Sequence, residues 1–238
     1  MITQNQFATA SNEIVANSVI CHGHHVELKN QLFEISSLQE VRAKEVIFWE
    51  GESSNYVYEV LEGVVLLYKL TPDGRRQITD FVYPGQPFGL GARGQHRYTA
   101  EAVTGARLCR YSHDRLDQSM AAFPALGHTF LEWTSNELAA AQDQMLLLGR
   151  KSAMEKISSF LLRLSERSDE RHDDPLNLFV PMTRNDIGDY LGLTTETVSR
   201  TITLLNKMGV ITRPNQHNIV ICDFDQLVDL ADDDNDTW

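Results

Sequence analysis

Residues 183–209, TRNDIGDYLGLTTETVSRTITLLNKMG, constrain the fold more tightly than any other part of this chain. Thr183 followed by Asp186 has the spacing of a capping box, which satisfies the exposed N–H groups at the start of a helix. That helix is expected to run to about Leu191 and to bury Ile187 and Leu191, one turn apart. Gly192 makes the turn, and Thr194 caps a second helix. In the second helix Val198, Ile202 and Leu205 share a face, and Gly209 ends it in the left-handed conformation. The following VITRPNQHNIVIC reads as two strands around a Pro214-Asn215 turn. Two helices across a glycine turn, followed by a hairpin, predict a winged helix-turn-helix.

The opposite face of the second helix carries Glu196, Ser199, Arg200, Thr203 and Lys207. These residue types read base edges in the major groove. Arg grips guanine O6 and N7, Glu accepts from cytosine N4, and Ser or Thr meets a base or a thymine methyl. Glu196, Ser199 and Arg200 are therefore the expected base readers. Thr183 and Arg184, Thr195 and Thr197, and Arg213 in the wing are expected further DNA contacts, with the two arginines on phosphates. The competing reading is a plain i, i+4 surface bridge between Glu196 and Arg200. A capping box, a tight turn, a C-cap and a wing in one stretch favour the DNA-reading face.

Net charge argues the other way, because 33 Asp and Glu stand against 21 Lys and Arg, a balance of −12. Seven of those acids lie from Asp223 to Trp238; without them 26 acids face 21 bases, a net of −5. The final ADDDNDTW reads as a disordered, solubilising tail. A weakly acidic body still permits a local basic contact surface. Mean hydropathy of −0.29 and 42% apolar residues describe a soluble protein with enough material for real cores. The chain has no apolar run long enough to span a membrane and no secretion signal at its N-terminus. Three scattered cysteines, Cys21, Cys109 and Cys222, fit a reduced, cytoplasmic protein.

From Glu40 to about Ser112 the chain reads as β structure: VIFWE, YVYEVLEG, VVLLYKL, QITDFVY, RYTAEAV and ARLCRY alternate with turn residues. Gly51, Gly63, Gly74 and Gly85 close such runs, and Asp73-Gly74 has the form of a type I′ hairpin turn. Short strands at this spacing predict a jelly-roll barrel. Beyond Asp114 the chain becomes helical. Leu131, Thr134, Leu138, Ala141, Met145 and Leu148 follow alternating spacings of three and four, a heptad seam with one polar interruption. A second stripe, Phe130, Trp133, Ala140 and Leu147, lies on another side of the helix. One stripe is expected to cover the barrel. The seam of Leu131, Leu138, Ala141, Met145 and Leu148 is expected to meet a second copy of the chain. The α+β organisation expected is a flexible segment (1–30), an effector-like β barrel (31–120), a long dimerisation helix (121–149), a winged helix-turn-helix (150–225) and an acidic tail (226–238). Gly149-Arg150-Lys151-Ser152 is the expected hinge.

The E-x-x-S-R pattern at Glu196, Ser199 and Arg200, within DIGDYLGLTTETVSRTITLLNKMGVI, resembles the recognition region of CRP/FNR transcription regulators. The resemblance extends from about Val41 to Asp223 and includes EGE…VYEVLEGVV…DGRRQI…PGQPFG and GRKSAMEKISSFLL. Within the family the chain is most similar to the FixK branch of FNR-like activators. That likeness implies a homodimer on the long helix, a palindrome close to TTGAT-N4-ATCAA, RNA polymerase as a partner, and base reading by Glu196, Ser199 and Arg200. It also implies control of genes for low-oxygen respiration, nitrogen fixation or denitrification.

The sensing region departs from the family. Members that bind cyclic AMP place Gly-Glu after the Phe-Gly turn and follow a phosphate-binding Arg with Ser or Thr. Here the text is Phe88-Gly89-Leu90-Gly91 and Arg97-Tyr98. Leu90 cannot accept from ribose hydroxyls, Tyr98 is bulky, and Arg97 is left as a surface or ion-pairing residue. FNR itself holds an iron–sulfur cluster on four cysteines; Cys21 and Cys109 are two, and two thiolates cannot hold it. Cys21-x-x-His24, within Cys21, His22, His24 and His25, has metal-ligand spacing, but such short patterns are common. No cofactor is expected, and the barrel reads as effector-independent. The competing readings are a ligand-gated or metal-sensing regulator of the same family and, in another class, a cupin-like enzyme. For the enzyme the histidines are misplaced, since His22 and His24 precede the barrel and the strand region holds only His96.

Overall fold

The computed structural model describes residues 20, 32, 34–90, 94–170 and 174–232. The expected loose segment 1–30, Ile20 apart, lies outside the described residues. So do Cys21, His22, His24, His25, Gly91 and the last residues of the acidic tail, 233–238. Contacts divide the chain into two compact units, Met1–Ala139 and Ala140–Trp238.

In the first unit, strands β1 (Ser36–Val41), β2 (Val46–Phe48), β3 (Ser53–Ser54), β4 (Tyr56–Glu62), β5 (Val65–Leu70), β6 (Arg76–Val82), β7 (Pro87–Phe88), β8 (Gly94–Gln95), β9 (Thr99–Ala102) and β10 (Ala106–Ser112) follow one another. They form two four-stranded sheets, β1-β10-β4-β7 and β2-β9-β5-β6, and a ribbon β3-β8. Within the two larger sheets only β5 and β6 are both neighbours in sequence and partners; the other pairs join distant strands, as a jelly roll requires. Side chains alternate across each strand. Tyr58 and Val60 of β4 therefore enter the core between the sheets, with Phe48, Val65, Leu67, Val82 and Phe88. Val57 and Leu61 face the other way, where Cys109, Tyr111, Leu116, Leu126, Phe130 and Trp133 cover them. Those last four come from helices α1 (His113–Ala122) and α2 (Pro124–Arg150). The start of the second apolar stripe, Phe130 and Trp133, thus packs on the barrel as expected.

Two local readings need correction. The β region begins at Ser36 rather than Glu40, because SSLQEV is held by pairing with β10 despite its polar composition. The turn at Asp73-Gly74 is not type I′. Of these two residues only Gly74 has positive φ, +82°, and Thr71 pairs with Arg75 across a three-residue loop. Gly74 N–H donates to Thr71 C=O at 2.8 Å, giving a type I turn followed by a left-handed glycine.

His96 is buried in this unit, its ring stacked on Phe48 with centroids 3.5 Å apart. Burial holds its pKa below the ordinary value. The folded chain therefore binds fewer protons at this site than the unfolded chain. Stability from the neutral ring is complete above the unfolded pKa of about 6.5 and declines as pH falls below it. The melting temperature of wild type is expected to drop more steeply between pH 7 and 5 than that of His96→Phe. A parallel descent of the two curves would refute this.

The second unit contains the rest of α2, then α3 (Ala153–Glu170), β11 (Asn177–Phe179), α4 (Arg184–Leu191), α5 (Thr195–Lys207), β12 (Ile211–Thr212), β13 (Asn218–Ile221) and α6 (Phe224–Ala231). Its core joins Ile157, Phe160 and Leu161 of α3 to Ile187, Leu191, Val198, Ile202, Leu205 and Leu227, all buried. The tail expected at 226–238 is corrected here, because 226–231 belong to α6. Asp223 caps that helix by accepting from Gln226 N–H, and Leu227 and Ala231 bury one face. Lys151, between α2 and α3, fastens its end. Its Nζ donates to Ala231 C=O at 2.7 Å and to Ser159 Oγ at 3.0 Å, and pairs with Asp232 at 3.2 Å.

Candidate nucleic-acid interface

The capping box at α4 is complete. Thr183 Oγ1 accepts from Asp186 N–H at 3.1 Å, and Asp186 Oδ2 accepts from Thr183 N–H at 2.9 Å. Gly192 takes φ +64° and turns the chain into α5. Gly188 is a second glycine that this motif requires, and no local sequence pattern marks it. A β-carbon on Gly188 would lie 2.6 Å from Leu193 C=O, so only glycine lets the turn close against α4. Thr194 caps α5 by accepting from Thr197 N–H at 3.1 Å. Val198, Thr201, Ile202 and Leu205 anchor one face of α5 in the core. The wing is the antiparallel ladder β11-β13-β12.

With its inner face fixed, α5 presents Glu196, Ser199, Arg200, Thr203 and Lys207 to solvent. They line one shallow hollow of about 330 Å³ together with Leu204. Glu196 and Arg200 also make the i, i+4 contact of the competing reading, at 3.6 Å and with both side chains more than 70% exposed. A pair so exposed and so long contributes little stability, so both groups are available to a ligand. Ser199 Oγ donates to Thr195 C=O, and Thr203 Oγ1 to Ser199 C=O, each at 2.8 Å. Thr195 is exposed and donates to Asn185 Oδ1 at 3.3 Å, while Thr197 is half-buried under Thr194.

Arg184 opens α4 and Arg213 stands exposed on the wing. Burial draws the Arg184 guanidinium below its ordinary pKa, and the positive charge of Arg213 adds to the shift. Two like charges held within electrostatic reach are favoured when an anion joins them. Thr183 is exposed beside Arg184.

Along α2, Leu131, Leu138 and Met145 are 62–70% exposed, an unusual state for large apolar side chains. Ala141 is exposed and Leu148 half-buried, with its Cδ2 3.5 Å from where a β-carbon on Gly192 would sit. Thr134, the polar interruption, donates its hydroxyl to Phe130 C=O at 2.8 Å. Leu146, also 64% exposed, lies outside the three-four spacing.

In the barrel, Gly89 N–H donates to the Tyr98 hydroxyl oxygen at 2.8 Å. Burial pushes that phenol up to about 12. The ring packs on Phe48, so an aromatic side chain caps the Phe-Gly turn from inside. Arg97 is exposed and lines a rim hollow with Glu50, Lys69 and His96. Cys109 is fully buried and Cys222 exposed. Among the described residues no group of three or more His, Cys, Asp or Glu is placed to hold a metal ion. Nor is any described helix long and apolar enough to cross a membrane.

A jelly-roll unit, a long helix with an uncovered apolar line and a winged helix-turn-helix with a free polar face define a DNA-binding transcription regulator. Residues 155–230 match the Crp-like helix-turn-helix domain, and residues 38–123 match the cyclic nucleotide-binding domain. The transcriptional activator protein FnrL of Cereibacter sphaeroides is 32% identical over 93% of this chain and 91% of its own. The nitrogen fixation regulation protein FixK of Bradyrhizobium diazoefficiens is 42% identical over 70% of each chain. The solved structure of FixK2 from Bradyrhizobium japonicum superposes with a TM-score of 0.77 at 38% identity, covering 82% of this chain and 97% of that one. The chain belongs to the CRP/FNR family of transcription regulators, and the relatives it matches are regulators rather than enzymes.

Proposed function

We propose that this protein is a homodimeric, sequence-specific transcription activator of the cytoplasm that works without a cyclic nucleotide or an iron–sulfur cluster. Glu196, Ser199 and Arg200 read bases in each half of a palindrome close to TTGAT-N4-ATCAA. Arg184 and Arg213, together with Thr183, Thr195 and Thr197, hold the DNA backbone in register. Leu131, Leu138, Ala141, Met145 and Leu148 form the seam with the second copy, and RNA polymerase is the downstream partner. The target genes are those of low-oxygen respiration, nitrogen fixation or denitrification, in keeping with the names of the FixK and FnrL relatives.

The observation that carries the reading is the anchored α5. A helix fixed by Val198, Ile202 and Leu205 presents a coherent set of donors and acceptors on its other face. The bond from Gly89 to Tyr98 supports independence from nucleotide, because it fills the turn where the family's ribose would rest. The test is a titration of labelled palindrome with purified, metal-free protein in air. Binding in the nanomolar range, at least a thousandfold tighter than to a scrambled duplex, is expected without additive. A requirement for cyclic AMP, cyclic GMP or oxygen exclusion would overturn effector independence. Equal affinity for both duplexes would overturn sequence-specific binding.

A further inference from the structure

Leu204 is an apolar side chain on a face otherwise made of polar ones. It is 47% exposed, follows Arg200 by one helical turn and lines the same hollow as Glu196, Ser199, Arg200, Thr203 and Lys207. The hydroxyls of Ser199 and Thr203 have turned inward and spend their protons on helix carbonyls. This sorts the face chemically. Arg200 and Lys207 are its donors, and Glu196 with the hydroxyl lone pairs its acceptors. The Thr203 methyl and Leu204 are its apolar part. Base-pair edges in the major groove offer one apolar group that could match them, the C5-methyl of thymine. An exposed leucine flanked by charged and hydroxylic residues, continuous with the base-reading face, fits that single methyl better than a broad protein surface.

We propose that Leu204, supported by the Thr203 methyl, packs on a thymine C5-methyl in each half-site and selects T·A at that position. The proposal rests on the DNA-reading function above. It predicts a specificity that hydrogen bonding cannot supply, because replacing the methyl by hydrogen leaves every donor and acceptor of the base pair unchanged.

The test uses full-length protein and palindromes in which each thymine of the half-site is replaced in turn, symmetrically, by uracil. One position is expected at which uracil weakens wild-type binding about fourfold per half-site, or about fifteenfold for both. In Leu204→Ala that penalty should vanish, whereas in Arg200→Ala it should persist. Leu204 is exposed, so the variant should keep the wild-type melting temperature, which is measured alongside. Tolerance of uracil at every position by wild type, or an undiminished penalty in Leu204→Ala, would overturn the proposal. A wild-type protein with no preference for the palindrome over scrambled DNA is a separate result, and would remove the DNA-reading function and this contact with it.

Discussion

Leu138→Glu is expected to turn the protein from dimer to monomer in sedimentation equilibrium, with Met145→Glu doing the same. Both side chains stand in solvent in the single chain, at 62% and 70% exposure, so a carboxylate there leaves the protomer's own core untouched. The cost arises on pairing. In a two-fold seam each glutamate is desolvated against apolar side chains and meets no cation on the heptad line. A penalty of ~3 kcal/mol or more shifts the dimer equilibrium at least a hundredfold. Operator affinity should fall with it, because a monomer holds one half-site and loses the gain of linked binding. Circular dichroism should stay close to wild type, and melting should lose only the concentration-dependent part that dimerisation adds. A Leu138→Glu protein that sediments as a dimer would rule out this seam and assign the exposed line to another partner.

How much of this was legible follows from the range of the forces involved. The helix-turn-helix could be read almost residue by residue, because its determinants are local: Thr183 and Asp186 three apart, a left-handed Gly192, Thr194 as a cap, and apolar positions one turn apart. The barrel was legible as strands but not as pairings. Ser37 and Arg110, 73 residues apart, are register partners, and nothing local in SSLQEV announces that. Helix α6 was obscured by its charge. Its cap, Asp223, opens the acid-rich run that continues into the tail, while Leu227 and Ala231 carry the burial. For Tyr98 the sequence displayed bulk in the wrong place for a nucleotide. Only the fold brings its hydroxyl to the Gly89 amide. Leu204 is not legible from the sequence, because whether a leucine at that position is buried depends on how α5 packs.

Arg200→Ala and Glu196→Ala should each weaken binding to the specific palindrome by roughly 1–3 kcal/mol, about five- to more than a hundredfold, and leave binding to random duplex nearly unchanged. The two side chains contact each other at 3.6 Å, so the same substitutions also ask whether that pair is merely a surface bridge. A bridge so exposed predicts a change in stability of well under 1 kcal/mol and no change on DNA. Base reading predicts the reverse, with a large loss confined to the matched site. Arg184→Gln and Arg213→Gln should behave differently from both. Each removes a charge from the cationic pair, weakens all duplexes alike and reduces the slope of log affinity against log salt by about one unit. Relieving the like-charge neighbour should also raise the pKa of the remaining Arg184 when Arg213 is replaced, since burial and that charge are what lower it. Operators altered symmetrically in both half-sites should shift the base preference of a Glu196 variant symmetrically, because a two-fold dimer presents the same α5 to each half. Wild-type affinity in Arg200→Ala would reduce the pair to a surface bridge. An unchanged salt slope in both Arg184→Gln and Arg213→Gln would detach those arginines from the DNA backbone while leaving base reading by Arg200 untouched.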